Sequence, residues 1–115
     1  GYLAVAGRLL EERPVPDALN FGPTAEQALT VEEVVAAFTG HLGGPAWRVD
    51  TGEHPHEAPA LRLDAGLAAR TLGWRSRLTV QDAIAWTAEW YAAERAGGDL
   101  LRLAADQIER YEELV

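Results

Sequence analysis

Thr79-Val80-Gln81-Asp82-Ala83-Ile84-Ala85-Trp86-Thr87-Ala88-Glu89-Trp90-Tyr91 is the stretch that decides the fold class. Thr79 with Asp82 three residues on is a capping signature, in which a hydroxyl accepts from the third amide. Beyond it Val80, Ile84, Thr87 and Tyr91 line one stripe, and Ala83, Trp86 and Trp90 the neighbouring one. That is helical periodicity. The two tryptophans fit either a stacking platform for a base or sugar, or an anchor in the core. Large aromatics dominate core burial, which favours the anchor.

Toward the C-terminus, Gly97-Gly98 breaks this helix and Asp99 caps another, with Leu100, Leu103, Ala104, Ile108, Tyr111 and Val115 on its apolar face. Toward the N-terminus, Leu72-Gly73-Trp74 closes a short helix: glycine takes the left-handed position, and the apolar residue after it packs back. Asp64 is a good N-cap for that helix. Leu61-Arg62-Leu63, Trp47-Arg48-Val49-Asp50 and Ala18-Leu19-Asn20-Phe21 are short apolar or alternating runs beside turn residues. They predict two or three strands, with Trp47 and Val49 facing the core. Thr30 and Glu33 form a second capping box before Val31, Val34, Val35, Phe38 and Leu42, so residues 31–42 are an amphipathic helix stopped by Gly43-Gly44-Pro45. His41 falls in its last turn, where a cation suits the negative end of the helix dipole.

The first twelve residues carry Leu3, Ala6 and Leu10 at helical spacing, with Tyr2, Val5 and Leu9 alongside. Pro14 and Pro16 end that helix. Its apolar, uncapped start reads as a helix cut from a longer chain. The expectation is an α+β unit: a mostly helical single domain over 1–115 with two or three short strands.

Composition narrows the function. With 115 residues the chain fits one domain, and 48% hydrophobic content supports a packed core. The absence of cysteine removes disulfides, thiolate metal sites and a cysteine nucleophile, and is compatible with a cytoplasmic home. No apolar run approaches the ~20 residues that cross a bilayer. A net charge of -8 makes nucleic acid and anionic membranes poor partners. There is no lysine either, which excludes Schiff-base chemistry, a P-loop lysine and a tyrosine–lysine pair within these residues. Gly40, Gly43 and Gly44 end a helix and fail the strand–GxGxxG–helix context. Ser76, the only serine, has no flanking glycines. Self-contained catalysis is not expected.

The most polar cluster is Glu53-His54-Pro55-His56-Glu57-Ala58. It admits three readings: a solvated loop, a metal site, or a site for an anionic or sugar-hydroxyl ligand. Imidazoles two apart near Glu57 and Asp50 offer metal ligands, but the spacing matches no helical H-E-x-x-H or finger pattern. For the third reading, histidines donate to phosphate and Glu57 accepts from a ribose diol. His54, His56 and Glu57 are therefore the candidate binding residues.

Six stretches in order are G-Y-L at 1–3, N-F-G-P at 20–23, H-P-H-E-A at 54–58, L-x-L-D at 61–64, L-G-W at 72–74 and W-Y at 90–91. Together they resemble the C-terminal, substrate-binding part of extended short-chain dehydrogenases acting on nucleotide sugars, nearest the CDP-glucose 4,6-dehydratases. H-P-H-E-A and the tail from Gly97 through Gln107-Ile108-Glu109 to Tyr111 carry that nearer likeness; L-G-W and the following helix are shared with GDP-mannose 4,6-dehydratases. The resemblance implies a Rossmann-type parent, active as a homo-oligomer. Such an enzyme uses NAD to oxidise the sugar transiently at C4 and eliminate water across C5–C6. The NAD-binding domain and tyrosine–lysine pair would lie in a missing N-terminal half. This chain would be the lobe over the nucleotide end of CDP-glucose, with no cofactor or catalytic residue of its own.

In the GDP-mannose relatives the matching stretch reads R-P-x-E, and its arginine and glutamate contact the nucleotide. By position these become His54 and Glu57, with His56 between. Histidine for a permanently charged, forked arginine weakens the phosphate contact. Ser76 also departs from the proline usual there. The alternatives are another nucleotide-sugar dehydratase or epimerase, or a stand-alone non-catalytic interaction module.

Overall fold

The computed structural model of the protein describes residues 1–23, 28–44, 46–52 and 63–114. Among them run five helices: α1 (Tyr2–Leu10), α2 (Val31–Leu42), α3 (Gly66–Leu72), α4 (Val80–Arg95) and α5 (Leu100–Glu112). Each is where the periodicity and caps predict one. The described residues divide into two compact units, Gly1–Gln27 with His56–Ser76, and Ala28–Pro55 with Arg77–Val115.

The expected α+β class is wrong: the described residues are helical with no strand. Residues 18–23 and 46–52 enter no ladder, and Leu63, the one described residue of the third expected strand, is likewise irregular. Leu61 and Arg62 lie outside the described residues. A strand exists only through the hydrogen bonds of a neighbour, and three or four alternating residues specify no neighbour. Trp47 and Val49, expected to face a core, are 38% and 68% exposed.

In the first unit, Phe21 takes the place that the strand was expected to fill. Its ring meets Tyr2 edge-on at 5.8 Å and Trp74 edge-on at 5.0 Å. Packing is close enough that a Cβ on Gly1 would lie 2.6 Å from the Phe21 ring. Ala68 on α3 is fully buried. Gly73 (φ 68°) closes α3, and the Trp74 amide reaches back to the Ala68 carbonyl at 3.4 Å, as the L-G-W motif predicts. Helix α1 ends before the prolines credited with stopping it. Glu12 adopts the left-handed conformation (φ 54°), its amide donates to Leu9, and the Arg13 amide donates to Arg8 at 2.9 Å.

In the second unit, α4 packs against α2 and α5. Ile84 and Ala88 are its buried positions. Phe38 of α2 meets Tyr91 edge-on at 5.8 Å. Both capping signatures are realised, with a difference of one methylene. Glu33 returns to the Thr30 amide at 2.7 Å while Thr30 Oγ1 accepts from the Glu33 amide at 3.2 Å. Thr79 Oγ1 accepts from the Asp82 amide, but the shorter Asp82 carboxylate reaches only the Thr79 hydroxyl, at 2.6 Å. Asp99 accepts from the Arg102 amide at 3.0 Å and starts α5. No described helix is long and apolar enough to cross a membrane.

Candidate functional site

His54, His56 and Glu57 lie outside the described residues; the chain on either side of them is described. Before them Asp50 Oδ1 accepts from the Gly52 amide at 3.0 Å, a side-chain-closed turn. After them Asp64 Oδ1 accepts from the Gly66 amide at 2.7 Å. Asp64 was expected to be the N-cap of α3. The cap position belongs instead to Ala65, which makes no side-chain bond, and Asp64 acts one residue earlier. A Cβ on Gly66 would lie 2.8 Å from Asp64 Oδ1 and 3.0 Å from Arg70 Nη1, so glycine there lets the turn close.

The turn at Asp64 forms part of a cavity of about 340 Å³ within the first unit, bounded by Gly22, Leu63–Gly66 and Trp74–Ser76. That volume lies at the lower end of ordinary small-ligand sites. Its chemistry is mixed. Trp74 supplies an aromatic wall, the Asp64 carboxylate has lone pairs beyond those given to Gly66, and Arg75 supplies a permanent cation. Arg75 forms no ion pair among the described residues. A carboxylate for hydroxyls and a guanidinium for an anion suit a polar ligand carrying both. Leu63, on this wall, directly follows the segment that holds the three predicted residues.

Asp64 and Arg75 are thus site candidates that motif reasoning passed over. Asp64 had a sufficient local role as a cap. For Arg75 a signal was available: a cation directly after a helix-closing Gly-Trp is carried on a rigid corner.

The stacking-platform reading of the tryptophans has a counterpart in the second unit, a shallow depression of about 400 Å³ lined by Trp86, Thr87, Trp90, Tyr91 and Gln107 among others. Two of its polar side chains, Thr87 and Gln107, are already engaged. Thr87 donates to the Ala83 carbonyl at 2.7 Å, and the Gln107 amide nitrogen donates to the Trp86 carbonyl at 2.9 Å and to Glu89 at 3.1 Å. Arg110 stacks on Trp86 at 4.3 Å from the ring centre and bonds Glu89 at 2.8 Å. These bonds hold the Glu89 carboxyl below its usual range, chiefly through Arg110 and then Gln107. Both tryptophans are half-buried; Trp86 serves the α4–α5 contact, and Trp90 meets Tyr91 edge-on at 5.5 Å. His41 stands in the last turn of α2, exposed, as its dipole role predicts. Among the described residues no three His, Cys, Asp or Glu side chains converge to hold a metal.

No family model matches the sequence, and no solved structure matches it. Over 113 residues, 96% of the chain, it is 36% identical to the CDP-glucose 4,6-dehydratase of Salmonella typhimurium (strain LT2). The resemblance drawn from the six motifs is borne out. The chain spans 32% of the length of that relative.

Proposed function

We propose that this chain is the nucleotide-sugar-binding portion of a CDP-glucose 4,6-dehydratase, which converts CDP-glucose to its 4-keto-6-deoxy product with loss of water. The observation that carries the proposal is the 36% identity to such an enzyme across nearly the whole chain. His54 donates to the diphosphate, Glu57 accepts from the ribose hydroxyls, and His56 supports them from the slot between. Within the first unit, the cavity beside Asp64 and Arg75 offers a further acceptor and a cation to a polar ligand. With histidine where the GDP-mannose relatives have arginine, Arg75 is the one permanent positive charge in this set, since histidine is mostly neutral at pH 7.

NAD belongs to the proposed longer enzyme. The described residues do not fit it: Gly43 (φ 62°) is the left-handed end of α2, Gly44 follows it, and neither opens a helix toward a pyrophosphate.

The test is calorimetry of the intact gene product with CDP, GDP, UDP and dTDP. CDP should bind tightest, and His54→Ala and Glu57→Ala should each weaken it by about tenfold. Unchanged affinity in both variants removes the site assignment. Preference for GDP with intact binding overturns the substrate and leaves the nucleotide-sugar class standing.

A further inference from the structure

Helix α5 presents a second apolar stripe that its contacts with α4 leave uncovered. Gln107 and Arg110 face α4, through Trp86 and Glu89. Leu101 and Ile108, by contrast, are 84% and 60% exposed. At 3.6 residues per turn, Leu101, Ala105 and Ile108 fall within about 60° of one another, with the small alanine midway along the helix axis. Arg102 and Glu109 share one flank of this stripe. Arg102 has only a long 4.0 Å contact with Asp106, and its side chain is 80% exposed.

We infer that this stripe is a self-association surface, on which α5 pairs antiparallel with α5 of a second copy of the chain. Charge selects both the occupant and the orientation. With a net charge of -8 the chain repels its own copies, so a self-contact needs local complementarity to form. About a twofold axis near Ala105, Leu101 of one copy meets Ile108 of the other. Arg102 then faces Glu109 of the second copy, and by symmetry the pair occurs twice. In a parallel pair this flank would face the opposite flank of the second copy, so Arg102 and Glu109 would not meet and the two helix dipoles would align; the antiparallel pair opposes them. The same flank faces itself in an antiparallel pair, so one helix carrying Arg102 and Glu109 seven residues apart is complementary to its own copy. Glu112 ends the apolar stripe, so the seam is short and the dimer is weak and reversible. This inference does not depend on the proposed activity.

Sedimentation velocity of the chain across a concentration series tests it. A reversible monomer–dimer equilibrium is expected. Ile108→Glu and Arg102→Glu should each raise its midpoint concentration by about tenfold or more, and Arg102→Glu combined with Glu109→Arg should return it close to the original. Far-UV circular dichroism confirms that each variant keeps its helices. A chain that stays monomeric throughout overturns the proposal. So does a dimer indifferent to these substitutions, one lost only on Leu3→Gln or Leu10→Gln in α1, or a charge exchange that fails to restore association.

Discussion

Glu12 occupies a conformation that suits glycine, and Gly73 and Gly97 show the chain using glycine for the same task. At Gly97 the motif is complete: its amide donates to Glu94 at 3.0 Å, and the Gly98 amide donates to Ala93 at 2.8 Å. A side chain in the left-handed region costs about 1–2 kcal/mol, partly offset in glycine by its larger unfolded entropy. Glu12→Gly should therefore stabilise the fold by up to about 1 kcal/mol, and Gly73→Ala should destabilise it by about 1 kcal/mol or more, read as opposite shifts in the urea midpoint. Thr30→Ala removes a complete capping box and should cost about 1 kcal/mol. These features are legible in sequence because each needs only residues three to five apart. Glu12 was not legible, since nothing in its side chain announces a left-handed backbone and the prolines offered a sufficient stop.

At the scale of elements, α5 is fastened to α4 by one cluster: Arg110 on Glu89 and over Trp86, and Gln107 on Glu89 and the Trp86 carbonyl; Arg77, ahead of α4, lies over Tyr111 at 5.6 Å. The Glu89 carboxyl titrates below its usual range in the folded state, because Arg110 and Gln107 donate to its ionised form. A folded-state pKa below the unfolded one gives stability that is full above the ordinary carboxylate range and is lost as pH falls through the folded value. The α4–α5 contact should loosen on acidification below the usual glutamate range. Glu89→Gln should remove that part of the pH dependence and weaken the contact at neutral pH. Hydrogen exchange of α5 amides at neutral and acid pH reads both effects; equal acid sensitivity in the variant would contradict the assignment. Since Glu89 is 41% exposed, solvent screens the pair and the effect is modest. Helices were read correctly because their periodicity is internal. The strands were misread because a strand is a relation between segments: Phe21 has a partner in the aromatic rings of Tyr2 and Trp74, which no period-2 pattern encodes.

For the molecule as a whole, the decisive quantity is how little is enclosed. Among the described residues only Ala68, Ile84 and Ala88 are buried, two of them alanines, and Tyr2, Leu3 and Leu10 on α1 are each more than 80% exposed. A helix apolar on nearly every side ordinarily lies inside a core. The same shortage of cover bears on ligand binding. The cavity beside Asp64 and Arg75 is bounded by residues from three short segments and one helix, and much of a drug-sized ligand's surface must be buried for tight binding. Under the proposed function the facing wall and the chemistry belong to the remainder of the longer enzyme, so this chain contributes half a site, and each polar contact must order its groups without the shelter of a closed pocket. The chain by itself should then bind CDP at least about 100-fold more weakly than the intact gene product, a loss of about 2.7 kcal/mol or more. Arg75→Ala should weaken CDP in the intact protein by a smaller factor than His54→Ala and Glu57→Ala combined, because it removes a single cationic contact. Calorimetry on both forms measures the ratio directly. Equal affinity in the two would mean that the binding surface is complete within these residues, and the two-walled site would have to be abandoned.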